Sequence, residues 1–178
     1  MHIDFDDIPE AKPAFELIAG QLVQKMSPKR RHARLQGAFQ RAIQAWAGEG
    51  ADVLTEWRCR ISDGEKRFAL VPDVAYFASA RLARYAEEDR EEPPSAPDIA
   101  VEVLSPGDSR RLLKLKIAAY LCAGSKLVLI VDPLRRTVVA HDPSGERPFK
   151  EAETVRTPDL PGLELDLAKI FSVLDRRP

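Results

Sequence analysis

Alternating apolar and polar residues near the start of the chain predict a β-hairpin over residues 15–26. Residues 15–18 and 21–26 show this two-residue period on either side of Ala19-Gly20. Such alternation places successive side chains on opposite faces of a strand, and glycine permits the turn between two strands. We therefore expect a short hairpin to lead the fold.

A helical period follows this hairpin. Ser27 and Pro28 provide an N-cap and a first-turn proline, and Gly48 provides a stop. Between them, the residues of one face recur at three- and four-residue steps: His32, Leu35, Gln36, Phe39, Ile43 and Trp46. The pattern predicts an amphipathic helix that packs its apolar face on the core.

Two longer strand-like segments, residues 52–61 and 67–77, come next and are separated by the turn sequence 62–64. We expect them to pair as a second hairpin. Residues 79–97 then combine a short amphipathic piece with an acidic run and a proline-rich end. This composition predicts a surface loop.

The second half of the chain has the pattern of a strand–helix–strand unit. Residues 99–104 are almost wholly apolar, as in a central strand buried on both faces, and the helical pattern of 108–122 stops at Gly124. Further strands are predicted at 126–131 and 136–141, and a final helix at 165–171 on the edge of the sheet. The whole predicts an α/β (mixed α+β) fold, with a mixed β-sheet that contains a βαβ unit and is flanked by helices.

Length and composition favour one domain over residues 1–178. Of the 178 residues, 44% are hydrophobic, which is enough for one substantial core. Charged residues make up 31%, no apolar stretch is long enough to cross a bilayer, and the N-terminal residues lack the layout of a secretory signal. We therefore expect a soluble, cytoplasmic protein without a membrane partner.

The overall charge opposes strong nonspecific binding to nucleic acid, because the net charge is −1 and the pI is about 6.3. The basic residues are nevertheless clustered, at 29–34 and at 110–116. Each cluster has an ordinary interpretation as a solvated face. For the first cluster, the alternative is a surface that faces phosphate groups.

Three ionisable residues occupy positions where the apolar pattern predicts hydrophobic side chains. Asp73 lies inside the predicted strand 67–77, Glu102 inside 99–104, and Lys116 on the apolar stripe of the next helix. Burying a charge is costly unless a partner compensates it. Two carboxylates suit Mg²⁺, which commonly takes one or two protein carboxylates besides water and substrate phosphate. The alternative is a cluster of buried ion pairs without catalysis.

Four short motifs occur in order along the chain. They are Val71-Pro72-Asp73-Val74, the segment 97–106 around Glu102, Lys116-Ile117-Ala118-Ala119-Tyr120-Leu121, and Leu129-Ile130-Val131-Asp132-Pro133. Together they resemble the Uma family, a bacterial group of restriction-endonuclease-like proteins within the PD-(D/E)XK nuclease superfamily. The resemblance extends from residues 15–18 to residues 161–167. It implies a restriction-endonuclease-like core in which Asp73 and Glu102 bind the metal and Lys116 is the catalytic lysine.

The chain departs from the plain superfamily pattern because Leu104, not lysine, stands two residues after Glu102. The Uma family is similar in having its lysine on the following helix, where Lys116 lies. Asp98 is a rival proline–aspartate residue, but at about 3.3 Å per residue it is about 13 Å from Glu102, too far to share one metal directly. The resemblance also makes His32 a possible additional site residue; the alternative is a core histidine bonded to backbone.

The resemblance implies a metal-dependent endonuclease that hydrolyses phosphodiester bonds in DNA. Its cofactor would be Mg²⁺, with Mn²⁺ as a possible substitute and no organic cofactor. Many nucleases of the superfamily work as dimers, so a homodimer is a possible assembly, and the resemblance implies nothing more about the oligomeric state. Two other functions stay open at this point. One is a catalytically silent nuclease fold used for binding or assembly, and the other is a metal-dependent hydrolase of a smaller phosphate substrate.

Overall fold

A computed structural model of the chain describes residues 3–62 and 66–176. Its strands are β1 (Phe15–Ile18), β2 (Gln21–Gln24), β3 (Asp52–Leu54), β4 (Cys59–Ser62), β5 (Arg67–Leu70), β6 (Val74–Phe77), β7 (Ile99–Val103), β8 (Leu127–Asp132), β9 (Thr137–Asp142), β10 (Gly145–Lys150), β11 (Thr154–Val155) and β12 (Leu165–Asp166). Its α-helices are α1 (Arg30–Ala47), α2 (Ser79–Leu82), α3 (Glu87–Glu91), α4 (Arg110–Cys122) and α5 (Leu167–Phe171).

A six-stranded mixed sheet forms the centre of the fold, in the order β10-β9-β8-β7-β6-β3. Strands β7 and β8 pair in parallel and are joined by α4, whereas the other pairs in this sheet are antiparallel. The predicted mixed sheet and its βαβ unit are therefore confirmed. Every residue of β7 is buried, as its apolar sequence predicts.

The two faces of this central sheet are covered differently. On one face, alternate residues of β7 pack with α1 and α5 in one apolar cluster. On the other face, Ala100 packs with α4 and with a smaller antiparallel sheet in the order β2-β1-β5-β4. Side chains alternate along a strand, so Glu102 points to the same face as Ala100. It therefore lies between the central sheet, α4 and the smaller sheet.

The second predicted hairpin is present but is divided between the two sheets. The predicted strand 52–61 is split into β3 and β4, and 67–77 is split into β5 and β6 around Val71-Pro72-Asp73. The two halves next to the turn, β4 and β5, pair in the smaller sheet. The two halves farther from the turn, β3 and β6, pair at the edge of the central sheet. Residues 63 and 64 of the predicted turn lie outside the described residues.

Three local predictions were wrong. Helix α1 begins at Arg30 rather than at Ser27-Pro28. The segment 79–97 is not all loop, because its acidic run forms α3, with Glu87, Glu88 and Asp89 in the first turn, where the helix dipole favours negative charge. The last helix begins at Leu167 and packs against α1 instead of the edge of the sheet.

Strands β10, β11 and β12 were not predicted. No helix in the described part of the chain has the length and apolar character needed to cross a bilayer. The single-domain organisation over 1–178 stays a prediction, and residues 1, 2, 177 and 178 lie outside the described part.

Candidate active site

A cleft of about 250 Å³ opens where the hairpin β1–β2, the end of β7 and the start of α4 meet. The four predicted site residues, Asp73, Glu102, Lys116 and His32, all lie in the wall of this cleft. The ionisable side chains that line its inner part are Glu16, Lys25, His32, Asp73, Glu102 and Lys116.

Asp73 lies in the break between β5 and β6, one residue before β6, and not inside a strand as predicted. Antiparallel pairing places Val74 opposite Val101, so the next residues outward, Asp73 and Glu102, are neighbours across the two strands. The Asp73 carboxylate also accepts a hydrogen bond of 2.7 Å from the backbone N–H of Val103. The strand break thus turns the carboxylate towards the end of β7.

Two cationic or protonatable groups contact the Asp73 carboxylate. Lys25 Nζ lies 2.8 Å from Oδ1, and His32 Nε2 lies 3.1 Å from Oδ2. Burial alone would raise the pKa of Asp73, but Lys25 and His32 together hold it well below its ordinary value. Asp73 is therefore a permanently ionised group in a buried setting.

Glu102 is the second acid and projects from the fully buried strand β7. Its Oε1 accepts a 2.8 Å hydrogen bond from the Tyr120 hydroxyl and lies 2.7 Å from Lys116 Nζ. Burial raises the pKa of Glu102 to about 7; Lys116 opposes this rise, and the nearby Glu16 carboxylate adds to it. Unlike Asp73, Glu102 exchanges its proton near neutral pH.

Lys116 joins two carboxylates from inside the fold. Its Nζ lies 2.7 Å from Glu102 Oε1 and 2.8 Å and 3.0 Å from the two oxygens of Glu16. Burial would lower the pKa of Lys116, but Glu102 and Glu16 raise it well above its ordinary value. The side chain therefore stays charged and acts as a hydrogen-bond donor, not as a proton acceptor.

His32 lies on the buried face of α1, so its place on the apolar stripe agrees with the prediction. Its Nε2 contacts the Asp73 carboxylate, not a backbone group. Its Nδ1 is buried without a hydrogen-bond partner among the described residues. The contact with Asp73 does not fit the alternative of a core histidine bonded to backbone, and a site role for His32 stays a prediction.

Three residues of this cluster were not singled out from the sequence: Glu16, Lys25 and Tyr120. Glu16 was detectable, because it stands between Phe15 and Leu17 in the apolar strand β1 and is 4% exposed. Its Oε1 accepts a 2.8 Å hydrogen bond from the backbone N–H of Val71, which ties β1 to the strand break beside Asp73. Lys25 carries no such signal, because no residue of the strand before it is fully buried and the two end residues of that strand are exposed glutamines.

The charges of the cluster leave room for one more cation. The cluster contains three buried carboxylates and two ammonium groups. The carboxylates are those of Glu16, Asp73 and Glu102, and the ammonium groups are those of Lys25 and Lys116. The surplus negative charge is balanced by a proton on Glu102 below about pH 7. A divalent cation that binds Asp73 and Glu102 would replace that proton and compensate the same charge.

Asp73 and Glu102 supply two carboxylates in the wall of the cleft as candidate ligands for a metal ion. Within residues 3–62 and 66–176, no group of three or more His, Cys, Asp and Glu side chains is placed to hold a metal ion. Mg²⁺ commonly takes one or two protein carboxylates and completes its shell with water and phosphate oxygens. The pair Asp73 and Glu102 meets that requirement.

The rival acid, Asp98, lies away from the cleft, at the opposite end of β7. Its Oδ2 accepts a 2.9 Å hydrogen bond from the backbone N–H of Ala78, and Oδ1 lies 3.6 Å from Arg81 and 3.5 Å from Lys126. The carboxylate fixes the chain after β6 to the start of β7. Asp98 is a structural residue.

Replacing Asp98 by asparagine should lower stability without changing the cleft. The amide keeps a hydrogen-bond acceptor for Ala78 but loses the charge, and hydrogen bonds to charged groups are stronger by about 1–2 kcal/mol. We expect a loss of about that size in the free energy of unfolding, measured with urea. A variant as stable as the parent would contradict this role.

Comparison with known proteins gives the same family as the motifs. The model of the Uma2 family, described as "Putative restriction endonuclease", matches residues 3–168. A crystal structure from Anabaena variabilis, described as that of a "putative nuclease", matches with a TM-score of 0.83 and 28% sequence identity over 96% of both chains. No curated protein sequence matches significantly. Because the family model covers nearly the whole chain, this protein belongs to the Uma2 family of restriction-endonuclease-like proteins.

Proposed function

We propose that the chain is a metal-dependent endonuclease that hydrolyses phosphodiester bonds in DNA. One observation carries this proposal: two buried carboxylates, Glu102 on β7 and Asp73 directly before the neighbouring strand β6, lie at an open cleft beside a buried lysine. Perturbed, desolvated ionisable groups in a cleft are typical of catalytic sites. Membership of a nuclease family supports the same reaction class.

Asp73 and Glu102 would hold Mg²⁺, or Mn²⁺ in its place. When bound, the metal would bind a phosphate oxygen and lower the pKa of a coordinated water. Asp73 supplies a carboxylate that is ionised at any ordinary pH, because Lys25 and His32 stabilise its charge. Glu102 supplies one that is ionised above about pH 7.

Lys116 would act through its charge. Because Glu102 and Glu16 hold its pKa high, the ammonium group cannot accept a proton from water near neutral pH. It can orient the Glu102 carboxylate, which it contacts at 2.7 Å, and offset negative charge that develops on the phosphate. Glu16 fixes Lys116 from the other side and is a positioning residue.

The pKa of Glu102 predicts how metal affinity depends on pH. Below about pH 7 the metal must displace a proton from Glu102, so affinity should rise about tenfold per pH unit, and above about pH 7 it should level off. The metal concentration that gives half-maximal plasmid nicking, measured across this range, tests the prediction. A flat dependence through pH 7 would contradict the assigned role of Glu102.

A matched variant sharpens this pH test. Glu16 raises the pKa of Glu102, so Glu16→Gln should move the bend in the affinity curve to lower pH. An unchanged bend would mean that a different group releases the proton.

A second candidate function is a silent nuclease fold used for binding or assembly. It is favoured by the fact that both acids already pair with lysines, since a buried ion-pair network can be purely structural. Nicking of supercoiled plasmid by purified protein with Mg²⁺ separates the two. Metal-dependent nicking supports the endonuclease, and its absence from a folded protein supports the binding module.

Small substrates test the remaining alternative from the sequence. If the folded protein hydrolyses a small phosphate ester with Mg²⁺ but leaves plasmid, single strands and RNA intact, the reaction class would stand and the DNA substrate would be wrong. Homodimer formation and a cytoplasmic, bacterial setting stay predictions.

A further inference from the structure

A larger groove of about 680 Å³ adjoins the cleft. It is built by the start of α1, the loop after β7, the start of α4 and the turn after β8. The groove and the cleft share wall residues, among them His32, Leu104 and Leu113. A nucleic-acid strand that has one phosphate at Asp73 and Glu102 can therefore continue into this groove.

The rim of the groove carries cations without carboxylate partners. Lys29, Arg31 and Arg110 are exposed, and none forms a side-chain hydrogen bond or ion pair within the described residues. The two acids in the wall are engaged elsewhere: Asp108 accepts from the Ser105 N–H, and Asp132 accepts from the N–H groups after it and pairs with Arg135. The rim is thus locally basic on a chain with net charge −1.

These cations also stand where a folded helix does not favour them. Arg31 lies in the first turn of α1 and Arg110 in the first turn of α4, and neither first turn contains an acidic residue. The positive end of a helix dipole repels cations. A polyanion bound across the rim would relieve that repulsion.

The groove wall also contains apolar side chains. Leu104, Leu113 and Pro133 line the groove; the two leucines are half-buried and Pro133 is buried. In the described part of the chain, Met26, Leu54 and Leu134 are the large hydrophobic side chains that remain exposed. Two of them, Met26 at 58% and Leu134 at 69%, stand at this groove. A purely electrostatic track for a backbone would not need them.

We propose that this groove binds an unpaired nucleotide of the substrate strand, next to the phosphate in the cleft. Its phosphates contact Lys29, Arg31 and Arg110, and its base lies on the apolar surface at Leu113 and Leu134. The volume is in the range of pockets that hold small organic ligands, which includes a nucleotide. The position of the reacting phosphate rests on the proposed function.

This assignment defines a substrate class. A base in an intact duplex is stacked and paired, and it must leave the stack before it can enter a concave pocket. Single strands, flaps and frayed ends already offer such a base at no cost. They should bind better than a fully paired duplex of the same sequence.

The test is binding of fluorescein-labelled oligonucleotides, followed by anisotropy in a chelator so that cleavage plays no part. The parent should bind a single strand and a flap at least about tenfold more tightly than the intact duplex. In Arg31→Gln/Arg110→Gln, the slope of log affinity against log salt for a single strand should fall by about 1.4, at about 0.7 for each lost phosphate contact.

Matched controls separate local effects from a change in overall charge. Arg84→Gln/Lys114→Gln removes two exposed cations that line neither cavity, and it should keep the slope of the parent. Leu134→Ser, in an exposed turn, should keep the salt slope and lose most of the preference for unpaired substrates. Equal affinity for duplex and single strand, or an unchanged slope in the groove variant, would overturn the proposal.

The outcome is independent of catalysis. Predicted binding by a protein that never nicks DNA would support the groove and overturn the endonuclease assignment. Nicking by the parent together with groove variants that bind like the parent would overturn only the groove.

Discussion

Glu102→Gln is expected to reduce metal-dependent nicking of supercoiled plasmid by at least about a thousandfold, in the range of losses seen when a central catalytic group is removed. Glutamine keeps the shape of glutamate and an oxygen that accepts from Tyr120, but it cannot provide the negative charge for a metal. Lys116 keeps Glu16 as its ion-pair partner. The fold should therefore persist while the reaction is lost.

Stability separates a catalytic loss from misfolding. Above about pH 7 the parent must keep an ionised Glu102 in a buried site, and the variant does not carry that cost. At pH 8 the free energy of unfolding of Glu102→Gln, from urea titration, should therefore equal or exceed that of the parent. A variant that nicks plasmid at a rate close to the parent's would show that Glu102 is not a metal ligand.

Lys116→Met is expected to lower the free energy of unfolding by about 3–5 kcal/mol, the cost of breaking a buried ion pair by removing one partner. Methionine fills similar space but leaves Glu16 and Glu102 facing each other without the ammonium group between them. Protonation of Glu102 relieves part of this cost, so the loss should be smaller at pH 6 than at pH 8. Urea unfolding at the two pH values measures both effects.

The double variant Glu16→Gln/Lys116→Met keeps this prediction testable even if the single variant fails to fold. It removes one carboxylate together with the lysine, so fewer buried charges are left unpaired than in Lys116→Met. Its free energy of unfolding should therefore recover at least about half of the loss seen in Lys116→Met, because residues 16 and 116 are energetically coupled. Strictly additive losses would mean that Lys116 and Glu16 do not depend on each other. Neither variant should nick plasmid at the rate of the parent.

The central part of the site was predictable because polar residues interrupt apolar patterns there. Glu102 stands in a strand that is otherwise wholly apolar, and Lys116 stands on the buried face of α4. In both cases the local period predicts that the side chain is buried. Because burying a charge is costly without a partner, each residue is identified as a candidate member of a site. The same criterion, applied to β1, would also have identified Glu16.

Other features depend on contacts that local patterns do not encode. Lys25 is joined to Asp73, 48 positions away, through the packing of the smaller sheet. The division of the second hairpin occurs at Val71-Pro72-Asp73, where proline cannot donate to a ladder; a strand pattern that runs across it hides the break. Strand β10 was missed because it is an exposed edge strand, in which charged residues and Pro148 replace the apolar alternation.

Calorimetric titration of Mg²⁺ into the parent, Asp73→Asn and Asp98→Asn at pH 8 tests the central claim most directly. Both variants exchange one buried carboxylate for an amide, but only Asp73 lines the cleft. The predicted result is binding of Mg²⁺ by the parent and by Asp98→Asn, and its loss in Asp73→Asn. Absence of binding by the folded parent, or equal binding by all three proteins, would contradict a metal site at Asp73 and Glu102.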